Sequence, residues 1–163
     1  MYSGGTIANT GGITATSMTI SGATPALSGR LNLSGDGPHS FTSGTLTIPA
    51  GGTLALTGNG NLAIQNGAQI ANGGLVDIQT DADIQHSVGA APTFTNTGTL
   101  RKSGGIDVST IGNPVNVTNA ATGLIDVQTG TLQLSNGMPN NDGVINIGAG
   151  ATLSTGGTVL VGG

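Results

Sequence analysis

Ligand-capable side chains are densest where Asp77, Asp81, Asp83 and His86 follow one another closely. Hard oxygen donors grouped in this way could hold calcium. The calcium-binding β-roll, though, needs a glycine- and aspartate-bearing nonapeptide repeated many times, and GGLVDIQTD at Gly73 to Asp81 occurs once. Asp83 and Gln85 alternate with Ile84, the pattern of outward residues on a strand, so a solvated face is expected there rather than a metal site. His39 and His86 read as lying two coils apart on different parts of a repeat, too far for a shared site. Serines are plentiful, yet no GxSxG, HExxH or phosphate loop occurs, and RKSG at Arg101 to Gly104 lacks the glycines that would precede it in such a loop. Arg101 stands where Asp77 and Asp126 would flank it from neighbouring coils, surface charge pairing worth at most about 1 kcal/mol. Glycoside chemistry needs an acid and a base converging on a groove, which three cations, no glutamate and scattered aspartates do not suggest. No catalytic residue, cofactor or metal is expected, and the chain reads as a non-enzyme.

The elements that would position these residues are clearest in GLIDVQTGTLQLSNG, Gly123 to Gly137. Ile125 and Val127 alternate with Asp126 and Gln128, a Thr-Gly turn follows, and Leu132 and Leu134 alternate with Gln133, which reads as strand, turn, strand. The rest of the chain reads as degenerate copies. A glycine precedes each first strand, at Gly5, Gly29, Gly52, Gly74, Gly98, Gly123 and Gly143, and the interval between successive ones is nearly constant. Within each interval the apolar residues form three sets. The first is Ile7, Leu31/Leu33, Leu54/Leu56, Val76/Ile78, Leu100, Ile125/Val127 and Ile145/Ile147. The second is Ile13, Phe41, Leu62/Ile64, Ile84, Ile106/Val108, Leu132/Leu134 and Leu153. The third is Met18/Ile20, Leu46/Ile48, Ile70, Phe94, Val115/Val117, Met138 and Val159/Val161.

Three short strands per interval predict an all-β fold, a single-stranded parallel β-helix of about seven coils of about 23 residues, right-handed because the coil is longer and less regular than a hexapeptide repeat. One coil cannot bury its aliphatic residues alone, but stacked coils bury them in a column, roughly 1.5 to 3 kcal/mol for each Leu, Ile or Val. At about 4.8 Å per coil the rod is some 30 to 35 Å long. A second ladder keeps the same register. Asn72, Asn96, Asn119 and Asn141 recur at almost the same interval as the glycines, each shortly before one of them. They are expected to pass amide hydrogen bonds up a corner, a structural role. SGDGPHS (Ser34 to Ser40) follows a first strand. HSVGAAP, IGNP and NGMPNND follow second strands, so residues near His86, Asn113 and Asn140 should crowd one corner, where a host or matrix ligand could be met.

Composition agrees with a thin solenoid interior. Among 163 residues there are 31 glycines, no cysteine, no tryptophan, one tyrosine and two phenylalanines. Only 6% are charged, all seven acids are aspartates, and the net charge is -4. Such a surface does not suit nucleic acid. No apolar run reaches the roughly 20 residues of a membrane span, no helix period or capping box appears, and MYSGGTIAN lacks the pattern of a signal peptide.

NTGTLRKSGG (Asn96 to Gly105) and GLIDVQTGTLQLSNG resemble the degenerate repeats of bacterial secreted and cell-surface β-solenoid proteins of the filamentous-haemagglutinin and autotransporter-passenger type. That resemblance covers most of the chain and implies an extracellular or cell-surface adhesin or stalk, of which residues 1–163 would be one β-solenoid domain within a larger protein or fibre. Two alternatives follow from the residues. One is a fibre subunit self-associating head to tail through its end coils. The other is an ice- or surface-binding solenoid using the outward pairs Thr45/Thr47 and Thr93/Thr95, an array interrupted by Gln69 and Ala71.

Overall fold

The computed structural model describes residues 6–7, 11–22, 25–157 and 159–161, with side chains described for 11–22 and 25–157. The readings of Gly5 and MYSGG, of the Ile7 side chain and of the Val159 and Val161 side chains lie outside the described residues. The described chain is all strand and turn, arranged as a β-solenoid whose three sheets run along one axis.

The first sheet stacks Ile13–Ala15, Arg30–Leu33, Thr53–Leu56, Leu75–Ile78, Thr99–Lys102, Leu124–Val127 and Val144–Ile147. The second stacks Met18–Ile20, His39–Phe41, Leu62–Ile64, Ile84–His86, Val108–Ile111, Thr131–Leu134 and Thr152–Thr155. The third stacks Thr6–Ile7, Ala26–Leu27, Thr45–Ile48, Gln69–Asn72, Thr93–Asn96, Asn116–Asn119, Met138–Asn141 and Val159–Val161. Each strand pairs in parallel with its equivalent one coil away, as in Val76↔Leu100↔Ile125 and Ile70↔Phe94↔Val117. Alternation on each strand then sends every second side chain inward, and Leu31, Leu54, Val76, Leu100 and Ile125 make one buried column.

The anchoring glycines owe their place to this stacking. Gly52, Gly74, Gly98, Gly123 and Gly143 do not adopt positive φ, so a left-handed turn is not their reason. A Cβ on Gly74 would collide with the Gly52 carbonyl, and one on Gly98 with the Gly74 carbonyl. The corner backbones lie in near contact from coil to coil, and only a residue without a side chain fits between them.

Three sequence expectations are corrected. The first concerns phase in the N-terminal coil: Ile13 heads the first sheet opposite Leu31, and Met18 and Ile20 begin the second sheet opposite His39 and Phe41. The Thr6–Ile7 strand belongs to the third sheet, paired with Ala26–Leu27. The step from Ile13 to Leu31 is shorter than the later steps from Leu31 to Leu54 or Val76 to Leu100. A frame set by those later coils therefore displaces each of the early strands by one sheet. The second correction concerns Ile106 and Val108, which are 86% and 45% exposed, whereas Ser109 and Ile111 face inward and are buried. Lys102 pairs with Ile78 and Ile111 with Ile84, so the chain takes more residues from Lys102 to Ile111 than from Ile78 to Ile84, and the inward positions of the strand are delayed. The third concerns NGMPNND. Met138–Asn141 is a strand of the third sheet with a register irregularity, so Asn140 stands on a sheet face opposite Thr118 rather than in a corner loop.

Candidate functional site

The asparagine ladder occupies the inward column at the end of the third-sheet strands, directly above Ile48. Asn72 Nδ2 donates to Asn96 Oδ1, Asn96 Nδ2 to Asn119 Oδ1 and Asn119 Nδ2 to Asn141 Oδ1, each at 2.8 Å. The same amides also donate to the carbonyls of Thr99 (2.8 Å), Leu124 (3.0 Å) and Val144 (3.2 Å) on the next coil's first strand. All four side chains are buried. Each of these three amide NH2 groups therefore serves two acceptors at a corner where the backbone turns from the third sheet to the first, tying the corner to the coil above.

Lys102 is the residue that sequence reasoning missed. Its column runs Ile78↔Lys102↔Val127, it is 0% exposed, and the aliphatic stem takes the place of a buried leucine. Nζ reaches the first corner and lies 3.0 Å from the Thr80 carbonyl, the Gly104 carbonyl, Asp81 Oδ1 and Ser109 Oγ. Ser109 Oγ in turn donates to the Thr80 carbonyl at 3.2 Å. The signal was available, since Lys102 stands two residues after Leu100, where other coils place Leu33, Leu56, Ile78 and Val127. Burial alone would raise the Asp81 carboxyl. The Lys102 ammonium, with the backbone amides of Asp107 and Ile106, outweighs it and holds Asp81 below the usual carboxylate range.

The outer face of the first sheet carries a third polar array. Asp77, Arg101 and Asp126 stand in register, and Arg101 Nε pairs with Asp126 Oδ2 at 3.1 Å. Asp126 also accepts from Gln128 (2.8 Å) and Asn146 (2.9 Å), while Asp77 accepts from Ser103 (2.7 Å) and Gln79 (2.8 Å). Arg101 therefore pairs upward, and Asp77 is held by neutral donors.

The calcium-capable group does not converge. Asp77 lies on the first sheet's outer face, Asp81 in the corner against Lys102, and Asp83 at the second strand, accepting from the Thr110 amide (2.7 Å) and Gln85 (2.8 Å). His86 Nε2 lies 3.1 Å from the Gly89 carbonyl. Among the described residues no cluster has the make-up of a metal site. His39 and His86 prove to lie in the same sheet, two coils apart, with His39 turned inward. The insertions at His86 to Pro92 and Ile111 to Pro114 do share a corner, both leading from a second-sheet to a third-sheet strand, with the Asn116 amide donating to the Pro92 carbonyl at 3.0 Å. In the coil below, the Asn66 and Gly67 amides donate to the Val88 (2.8 Å) and Ala90 (2.9 Å) carbonyls. The outward threonines stand on the third sheet, with Gln69 in register between Thr45 and Thr93 and Ala71 between Thr47 and Thr95.

No protein-family model, curated protein or solved structure matches the chain. Its class is set by the fold: a parallel β-solenoid with three strands per coil. Its polar side chains are engaged with backbone groups and with one another, many of them from one coil to the next.

Proposed function

We propose that the chain is a non-enzymatic structural segment of a bacterial extracellular adhesin or surface stalk, serving as spacer and scaffold. The observation that carries this reading is the continuity of the axial bonding. Strands from Arg30 to Asn141 hydrogen-bond to a coil on either side. The asparagine ladder and the Arg101–Asp126 array run in the same direction, so a pull along the rod is shared among many parallel bonds. Carboxylates that could act as acid or base are instead held by Lys102, Arg101, glutamines and backbone amides. Antibody raised against the chain should decorate intact cells of the producing bacterium. Labelling that requires permeabilised cells would overturn the proposal.

A second reading, a head-to-tail fibre subunit, draws on the Val144–Ile147 strand. It pairs on one side with Leu124–Val127 and leaves Val144 61% and Ile147 48% exposed, an edge that a second copy could continue. Electron microscopy with light scattering over a wide concentration range decides it. Unbranched fibres with an axial repeat of roughly 30 to 35 Å support the fibre, and short monodisperse rods at every concentration exclude it.

A further inference from the structure

His39 is the inward residue of the second sheet between Met18 below and Leu62 above. It is 1% exposed, and neither ring nitrogen has a hydrogen-bond partner in the protein. The ring borders a cavity of about 10 Å³ lined by Met18, Ile20, Leu31, Phe41, Leu54 and Leu62 among others, with Ser40 at its margin. No lining side chain besides His39 is titratable. Arg30, on one of the first-sheet strands that pack here, is turned away, its Nε donating to Asn32 Oδ1 at 2.6 Å. A histidine so placed favours neutral imidazole, because a charged ring would sit in a largely apolar pocket with no counter-ion.

The coils around His39 are also built of short strands. Ile13–Ala15, Met18–Ile20 and His39–Phe41 have three residues each, and Ala26–Leu27 has two, joined to the next coil through Ala26↔Thr47. From Gln69 to Asn141 nearly all strands have four.

We propose that His39 is an acid-sensitive latch: protonating its ring releases Met18–Ile20 and His39–Phe41 from the coils above, while the stack from Leu75 onward stays closed. This inference does not depend on the stalk reading. Burial lowers the His39 imidazole below its ordinary value of 6.5. The sign follows from linkage. Below 6.5 the opened coil binds a proton that the closed coil refuses, so opening grows as pH falls, by at most about tenfold per pH unit for one proton, and levels off below the folded-state pKa.

Hydrogen exchange of the whole chain between pH 7.5 and 5, corrected for intrinsic exchange, tests the proposal alongside NMR of the histidine rings. Protection of residues 18–20 and 39–41 should fall by up to about tenfold per pH unit below 6.5, while residues 124–134 keep theirs. His39→Leu should abolish that response, and His86→Leu should retain it. A uniform loss along the chain, unchanged protection, or the same response in His39→Leu overturns the latch. If His39→Leu does not fold, the native protein decides. A His39 ring that protonates at pH 6 or above while protection of 18–20 and 39–41 is unchanged overturns it, and a ring that protonates only as that protection is lost supports it.

Discussion

Lys102 shows how one residue can serve two environments. Its stem fills an aliphatic column while its ammonium gathers two carbonyls, a hydroxyl and a carboxylate from a corner that would otherwise turn unsatisfied oxygens inward. Lys102→Met keeps the stem and removes the donors, leaving the Thr80 and Gly104 carbonyls and the Ser109 hydroxyl without them. The expected loss is about 3 kcal/mol in denaturant unfolding, the scale of breaking a buried polar pair from one side. Asp81 lies at the accessible side of the same cage, so its removal should cost less. Because the folded protein holds Asp81 below the ordinary carboxylate range, its contribution is fully present above about pH 4, its unfolded value, and is lost as pH falls through the folded one. Asp81→Asn should therefore flatten the acid limb of the stability–pH curve below about pH 4. A limb of unchanged slope would show that Asp81 is not held by Lys102 in solution. His39 acts in a separate window nearer neutrality, and the two substitutions should not alter each other's effect, since their networks share no side chain.

At the scale of the element, corners rather than strands impose the strictest demands. The asparagine ladder is directional, so its members are unequal. Asn96 accepts from Asn72 and donates to both Asn119 and the Leu124 carbonyl, whereas Asn141 accepts from Asn119. Asn96→Ala should cost about 2 kcal/mol and Asn141→Ala about 1, by the number of buried groups left unpartnered. Equal losses in thermal and denaturant melts would mean that the number of ladder bonds a member makes does not set its contribution. Gly98→Ala meets the Gly74 carbonyl and backbone, and should destabilise by about 1 to 3 kcal/mol through overpacking. These corners were only half legible in the sequence. The asparagine spacing is plain because polar residues recurring in a fixed register stand out among aliphatics. The glycine spacing is plain too, but its cause, carbonyls packed one above another, is a property of stacked coils that no single coil displays. Inward pairs such as Val76/Ile78 and Ile125/Val127 announce their strands directly. Lys102 and Ser109 do not, because an apolar pattern has no place for a polar residue facing inward, and the exposed Ile106 and Val108 supplied the apolar pair that was expected. The first coil misleads for a different reason: its short step from Ile13 to Leu31 omits the corner insertions that set the longer period.

For the whole molecule, a solenoid's interactions are nearest-neighbour, so the stack should tolerate the loss of a complete coil and reject the loss of part of one. Gly98 to Thr122 is a complete coil, running from one anchoring glycine to the residue before the next. Removing it joins Thr97 to Gly123 and restores at the junction the same Asn-x-Gly corner that Asn96, Thr97 and Gly98 make in the intact chain. Ile125 then falls above Val76 and Val127 above Ile78, so both inward columns stay aliphatic. Asn141 falls above Asn96, so the ladder continues with one rung fewer. Asp81 loses its lysine, but its carboxylate is accessible enough to turn to water. The shortened chain should fold cooperatively to a rod shorter by about 4.8 Å, measured by small-angle X-ray scattering beside a thermal melt. Deleting only Gly98 to Ser109 would bring Thr110 and Ile111, residues of a second-sheet strand, onto a first-sheet position and put the wrong side chains inward, and this variant should show no cooperative transition. If both deletions unfold the protein, the coils are not interchangeable units and the deleted coil supplies contacts, such as the Lys102 cage, that its neighbours do not replace. If both fold, register is not enforced by the inward columns, and the stacking argument fails at its foundation.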